Sequence, residues 1–414
     1  MRLRLESRLG GAVAVGALAL GGGLVTATAA HAAGTTCSAA WSASTVYTGG
    51  QTASENGVNY TANWWTQGDD PATHNGAGGT GQPWTSQGAC TGGSSDPGDG
   101  GTTDPGDGGN PGGGTGDGSG VVFAPYKDIT VLMGWNTNTM RTAAGGSTLP
   151  LVGANSFVSK VVPNLGAITL AFATGTCQNE GWAGVNAQSF VSANIGALDA
   201  ADLDYTVSTG GAAGSFTCSS GADLEKFIAR YATPHLIGID FDIENGMSSS
   251  DIANLVNAAA QAESAYPNLR FSFTLATWAG SDGSHAGVNA LGTSVVNAIK
   301  ASSLSHYTID LMVMDYGGPS AAVCVVSNGQ CQMGRSAIQA AENLEYTFGI
   351  PASKIELCPM IGPNDVAGEN FSLSDVDTVT SYVKTHGLAG IRYWSLDRDS
   401  GAQYTKRFLQ DLGR

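Results

Sequence analysis

Three acidic residues at alternate positions, Asp240, Asp242 and Glu244, stand in the otherwise apolar segment Leu236-Ile-Gly-Ile-Asp-Phe-Asp-Ile-Glu244. On a β-strand, residues two apart share a face. The three carboxyls therefore line up on one side, and Ile239, Phe241 and Ile243 on the other. Crowded carboxylates repel one another and resist desolvation, so stability gives no reason to build such a row. Chemistry does. Close carboxyls push one another's pKa apart, and a proton shared between two of them can be held near neutral pH for general acid work.

A strand bearing such a row must pack one face on apolar partners and open the other to a site. Between 121 and 414 the chain alternates two patterns. Eight short runs rich in Val, Ile and Leu read as strands: 128–135, 167–173, 203–211, 236–244, 270–276, 309–317, 354–362 and 390–397. Parallel strands buried on both faces have this composition. Helical stretches lie at 155–165, 187–198, 222–231, 249–266, 288–301, 335–348 and 373–386. Ser248-Ser-Ser-Asp251 and Ser372-Leu-Ser-Asp375 carry helix-start signals. The alternation predicts an α/β fold, a (β/α)8 TIM barrel, with a doubly wound open sheet as the alternative. A barrel carries its site at the C-terminal strand ends, and the acidic row closes the fourth strand candidate.

Over about 125–405, four motifs resemble those of glycoside hydrolase family 18, the chitinases. The fourth-strand signature of that family, Asp-x-x-Asp-x-Asp-x-Glu, is matched at Asp240, Asp242 and Glu244, but Ile237 stands in place of the first Asp. The third-strand Ser-x-Gly-Gly is Ser208-Thr-Gly-Gly211, and the Trp near the end of strand eight is Trp394. The sixth-strand Met-x-Tyr-Asp is partly met, since Met312-Val-Met-Asp-Tyr316 puts Met314 where the Tyr belongs. The resemblance implies a secreted chitinase that cleaves β-1,4 bonds between N-acetylglucosamine units with retention and without a cofactor. Glu244 would be the general acid, and the substrate's own N-acetyl oxygen the nucleophile. Asp242 would orient that acetamide and stabilise an oxazolinium ion, and Asp240 would tune Asp242 by sharing a proton. Trp394 would floor the sugar site. Asp315, Tyr316, Met312, Ser208, Gly210 and Gly211 complete the substrate-binding candidates, with Tyr316 a candidate for the missing tyrosine's role. Trp135, Trp182 and Trp278 follow or end strand candidates and could extend the cleft. The departure at Ile237 is expected to move the pH optimum. Family members with tunnel-like clefts carry an extra α+β insertion between strands seven and eight. Residues 363–389 leave no room for one, so an open groove and internal cutting are expected. An endo-β-N-acetylglucosaminidase and a non-catalytic chitin lectin on the same barrel are the alternatives.

The N-terminal part is organised differently. Residues 1–32 read as a signal peptide: a basic start (Arg2, Arg4, Arg8), an apolar run, and the small-x-small site Ala30-His-Ala32. Residues 91–120 are almost entirely Gly, Asp, Pro, Ser and Thr, with Asp96-Pro-Gly-Asp-Gly-Gly101 repeated at 104–109. Such a chain builds no core and is a linker with a span of roughly 30 Å. It separates a small unit, 33–90, from the barrel domain, 121–414. The small unit resembles the chitin-binding carbohydrate module of families 5 and 12 in Ala40-Trp-Ser-Ala-Ser-Thr-Val-Tyr47, Asn59-Tyr-Thr-Ala-Asn-Trp-Trp-Thr66 and Pro83-Trp84. Its aromatics outnumber what so small a core needs. Trp64, Trp65 and Trp84 are expected on an exposed chitin-binding face, and Trp41 and Tyr47 in the core.

Export makes the cysteines disulfide candidates: Cys37 with Cys90 stapling the small all-β module, Cys177 with Cys218, and Cys324 with Cys331. Cys358 is left as a buried thiol. No Cys-x-x-Cys pair and only scattered histidines argue against a metal site. With 34 Asp and Glu against 18 Lys and Arg, the charge argues against nucleic acid or an anionic membrane as partner. A neutral polysaccharide, chitin or its chito-oligosaccharides, fits, and an extracellular monomer is expected.

Overall fold

The structure is a computed structural model that describes residues 35–43, 45–63, 66–76, 82–91, 120–244 and 246–414. The expected signal peptide, nearly all of the linker, and Trp64 and Trp65 lie outside the described residues.

The N-terminal module is all β. Its four-stranded sheet runs in the order Thr35–Thr36, Trp84–Thr91, Val58–Ala62, Thr52–Glu55, and Val46–Tyr47 pairs separately with Thr66–Gln67. Asn56 and Gly57 join two of these strands at φ 51° and 73°. A two-residue hairpin that follows the strand twist needs both residues at positive φ, which Asn-Gly supplies. Cys37 and Cys90 form the expected disulfide. The core is Tyr47, Ala53, Tyr60, Ala62 and Trp84, with Trp41 and Val58 against its edge. Trp84 corrects the expectation of an exposed sugar-binding residue. It is fully buried, donates its indole N–H to the Asp69 carbonyl at 2.8 Å, and meets Tyr47 edge-on at 5.0 Å. A module with so few apolar residues uses its largest side chain to fill the centre.

The rest is the expected (β/α)8 barrel. Its strands are Val122–Phe123 continued by Tyr126–Asp128, then Ala167–Thr176, Asp204–Gly210, Leu236–Ile243, Arg270–Ala276, Tyr307–Met312, Ile355–Cys358 and Gly390–Ile391. All neighbours pair in parallel, and the two pieces of the first strand close the ring against the eighth and the second. The helices are α1 (Phe157–Lys160), α2 (Ala187–Asp199), α3 (Gly221–Tyr231), α4 (Ser249–Ala262), α5 (Ala290–Ala301), α6 (Met333–Phe348), α7 (Leu373–His386) and α8 (Gln403–Leu412). The two start signals are capping boxes, Ser248 with Asp251 on α4 and Ser372 with Asp375 on α7.

The first strand lies upstream of the expected 128–135. Asp128 Oδ1 accepts from the Thr130 amide at 2.8 Å and turns the chain out of the sheet. The segment beyond folds back through Gly134 and Thr139, so Ile129, Val131 and Met133 bury their side chains from a loop. Helix α8 was not expected; its stripe of Phe408, Leu409 and Leu412 packs on the core. On the fourth strand, Ile239, Phe241 and Ile243 pack outward as expected, with Phe241 5.2 Å from Phe273 and 6.4 Å from Phe271. Between strands seven and eight there is only a short hairpin, Gly362–Pro363 with Asn370–Phe371, and α7. The disulfides Cys177–Cys218 and Cys324–Cys331 form, and Cys358 is a buried free thiol.

Candidate active site

The alternation of the fourth strand turns Asp240 into the barrel interior, where it is fully buried. Its Oδ2 accepts from the Tyr126 hydroxyl at 3.0 Å and Ser208 at 2.5 Å, and its Oδ1 from Ser272 at 2.6 Å and Thr274 at 2.8 Å. The Arg392 guanidinium lies 3.5 Å away. One step up the strand, Asp242 is 6% exposed and its Oδ1 has no hydrogen-bond partner. Burial, then the charges of Glu244 and Asp240, push its carboxyl well above the usual range. Glu244 follows the strand end and is half-buried. Burial, then the charge of Asp315, raises it too. The row thus pairs a deep carboxyl rich in donors with two shallower ones that hold protons more tightly than free carboxyls do, which is a proton-donating arrangement.

The neighbouring strand explains the glycines of Ser208-Thr-Gly-Gly211. A Cβ on Gly210, at φ 89°, would collide with the Asp242 carbonyl oxygen, and one on Gly211, at φ 82°, would lie 2.8 Å from the Phe172 ring. The Gly211 amide donates to the Asp242 carbonyl at 3.0 Å. Ser208, Gly210 and Gly211 are all buried, which corrects their expected contact with substrate. They position Asp240 and Asp242 instead. Ile237 is the extra residue of a bulge, because Tyr205 pairs with Leu236 and Thr206 with Gly238. The residue two below Asp240 is Gly238, whose added Cβ would press on Thr206 and the Arg270 carbonyl at 3.1 Å.

Below the acidic row the barrel is polar, a feature outside the sequence-based expectations. Arg392 is buried, with its Nε on Glu356 at 2.8 Å and 3.7 Å from Asp310, and its Nη2 on Ser272 at 2.8 Å. Glu356 also accepts from Arg270 at 2.8 Å and Thr308 at 2.6 Å. Burial pushes Glu356 up, but Arg392 and Arg270 outweigh it and hold it at about 2. Asp310, Glu356 and Arg392 each left a signal, a charge within an apolar strand run; Tyr126 left none.

The rim is assembled from loops. Trp394 is half-buried, stacked on Phe172 at 5.5 Å, and packs with Met314 over Tyr126, Ala171 and Cys358. This apolar cluster lies beside the carboxyls, since the Tyr126 hydroxyl within it donates to Asp240. Met312 is half-buried at the end of strand six, in register with Cys358. Asp315, at φ 50°, accepts from the Val366 amide at 2.9 Å, and its own amide reaches Asn364 at 3.3 Å. Burial raises its carboxyl. Tyr316 corrects the idea that it replaces the strand-six tyrosine. Its ring lies in the main apolar core and its hydroxyl has no partner, while its amide donates to Glu369 at 3.0 Å. Of the further tryptophans, Trp135 and Trp278 are 40% and 44% exposed. Trp182 is core, stacked on Phe190 at 4.0 Å and bonded to the Tyr231 hydroxyl at 2.8 Å. Among the described residues no His, Cys, Asp or Glu cluster could hold a metal ion.

Comparison with known proteins agrees with both resemblances. Residues 40–85 match the model of carbohydrate-binding module family 5/12. A probable bifunctional chitinase/lysozyme of Escherichia coli K12 is 26% identical over 407 residues, covering 87% of this chain and 45% of that protein. Endochitinase 11 of Metarhizium anisopliae is 28% identical over 232 residues, covering 51% of this chain and 43% of that protein. The chain thus spans less than half the length of either relative. Active domain 2 of the Pyrococcus furiosus chitinase, solved with chito-oligosaccharides, superposes with a TM-score of 0.52 at 22% identity, covering 70% of this chain and 94% of that one. That likeness fixes the barrel fold.

Proposed function

We propose that this chain is a secreted, monomeric chitinase that cleaves internal β-1,4 bonds between N-acetylglucosamine units by a retaining, substrate-assisted route. The observation that carries the proposal is the graded row itself. Asp240 is wrapped by four hydroxyl donors, and Asp242 and Glu244 hold their protons more tightly than free carboxyls. Glu244 at the mouth gives its proton to the glycosidic oxygen. Asp242, with a free oxygen, orients the substrate acetamide, whose carbonyl oxygen attacks the anomeric carbon. As positive charge builds on the resulting oxazolinium ion, Asp242 faces it, and the hydroxyls around Asp240 take up the negative charge left below. Water then opens the ring from the same side, with Glu244 as base, so the configuration is retained.

Trp394 beside the carboxyls supplies an apolar surface for a sugar face. The short connection between strands seven and eight supports an open groove and internal cutting. A module of family 5/12 supports attachment to chitin. The test is release of chito-oligosaccharides from colloidal chitin, with anomer analysis, by the wild type and Glu244→Gln. Loss of the acid should lower turnover by at least ~10²-fold. No release by the wild type would sink the enzyme in favour of a lectin, and equal release by both would sink the role of Glu244. Since one relative is named chitinase/lysozyme, peptidoglycan is the second substrate to offer.

A further inference from the structure

One fully buried carboxyl of the polar barrel has no part in the mechanism above. Asp310 on strand six is fully buried, and its Oδ1 has no hydrogen-bond partner. Its Oδ2 has only long contacts: 3.5 Å to the Tyr126 hydroxyl, 3.4 Å to Thr274 and 3.7 Å to Arg392 Nε. The same two hydroxyls lie at 3.0 and 2.8 Å from Asp240. Two bridging hydroxyls and one guanidinium are therefore shared unequally between two carboxyls, and Asp240 has the larger share of each.

An ionised carboxylate at Asp310 would draw those donors toward itself, because charged acceptors make the shorter, stronger bonds. The groups that face it make ionisation harder still. Strand four brings Asp240 and Asp242, strand seven brings Glu356 and Cys358, and strand one brings the Tyr126 hydroxyl. Against them stands Arg392 from strand eight, already bonded to Glu356 at 2.8 Å; Arg270 from strand five is likewise bonded to Glu356. The nearest guanidinium is thus shared by three carboxyls, and its contact with Asp310 at 3.7 Å is longer than those with Glu356 at 2.8 Å and Asp240 at 3.5 Å.

We propose that Asp310 is a positioning residue that stays a neutral acid in the working enzyme and thereby leaves Tyr126, Thr274 and Arg392 to Asp240. Asp240 then keeps its four hydroxyl donors in place beneath Asp242. Burial, outweighing Arg392, raises the Asp310 carboxyl well above its usual range, which agrees. A raised carboxyl is protonated at low pH and ionises as pH rises. Its ionisation would divert the three donors from Asp240, disturb the wall that holds Asp242, and remove activity on the alkaline side.

The inference rests on the chitinase reading, and the experiment separates the two. The pH dependence of kcat is measured on soluble chito-oligosaccharides for the wild type, Asp310→Asn and Asp310→Leu, with a thermal melt of each. Hydrolysis by the wild type tests the function proposed above; the difference between wild type and variants tests Asp310 alone. Both neutral variants should melt cooperatively, and the alkaline limb of Asp310→Asn should move up by about one pH unit, the size of shift a nearby charge produces, with KM unchanged. Asp310→Leu is read in the same way if the Asn variant does not fold. A limb that coincides with the wild type or moves down overturns the proposal. Failure of both variants to fold overturns it too, since a neutral acid would tolerate a neutral replacement of its size.

Discussion

Arg392→Met removes the one cation shared by Glu356, Asp240 and Asp310 while keeping much of the side-chain volume. The loss can be worked out at Glu356, which is fully buried and bonded to Arg392 at 2.8 Å. Glu356 is held at about 2 against an ordinary 4.5, a difference of 2.5 units. At about 1.36 kcal/mol per unit this is on the order of 3 kcal/mol, of which Arg392 supplies the largest part. Leaving the charge half-paired in the interior brings the expected destabilisation to about 3–5 kcal/mol. For a barrel of this size the melting temperature should fall by about 6–15 °C. The sign is fixed by the depressed pKa. The stabilisation is fully present above the unfolded-state pKa and is lost as pH falls through the folded-state value. The gap between wild type and Arg392→Met should therefore be full at pH 7 and close between about pH 4.5 and 2. Adding Glu356→Gln should recover about half of it, because the stranded charge is removed. Circular dichroism melts from pH 7 to pH 3 measure this. A fall below 2 °C at pH 7, or a gap that does not narrow with acid, would show that Arg392 does not carry the network.

The same geometry sets three further outcomes. Deleting residues 33–90 should abolish retention on insoluble chitin and leave hydrolysis of soluble oligomers within about twofold, since the acidic row and all its partners lie in the barrel; equal loss on both substrates would refute modular targeting. Trp84→Ala, at the centre of the module core, should cost about 3–5 kcal/mol, enough to unfold so small a unit. It should therefore abolish retention on insoluble chitin as the deletion does, and retained chitin binding would return Trp84 to the surface. Trp278→Ala, at a site 44% exposed, should change stability by no more than ~0.5 kcal/mol while raising KM for long oligomers and sparing short ones. An unchanged KM would remove Trp278 from the cleft.

The parts of the barrel that sequence made legible are those with a repeating physical signal. Buried parallel strands must be apolar throughout, so their number and order could be read, and period-two acids on one of them marked the candidate site. The first strand escaped because Ile129, Val131 and Met133 have strand composition but come after an Asp128 turn that takes them out of the sheet. Burial of single residues was less legible. Trp84 and Tyr316 looked like surface and site residues, yet each fills a core, because an aromatic ring serves both purposes equally well. Ser208 and the two glycines after it were rightly drawn to the acidic row but act through backbone clearance and a hydrogen bond to Asp240 rather than on the sugar.

The polar interior explains why so costly a row of acids is tolerated. Barrels of this kind usually fill their cores with Val, Ile and Leu. Here Ser272, Thr274, Thr308, Asp310, Glu356 and Arg392 occupy that space. Apolar residues of similar volume would be at least as stable, since a buried ion pair seldom repays its desolvation. The network is therefore not kept for stability. What apolar residues cannot supply is a fixed field under Asp240. Four hydroxyls aimed at its oxygens and a guanidinium 3.5 Å away are already in place before any substrate arrives. Preorganised donors need no rearrangement when charge moves, which makes them effective in a dry interior. If the proposed chemistry holds, the unit that serves it is the whole inner wall from Arg392 up to Glu244, and substitutions below the acidic row should act on the pH profile before they act on binding.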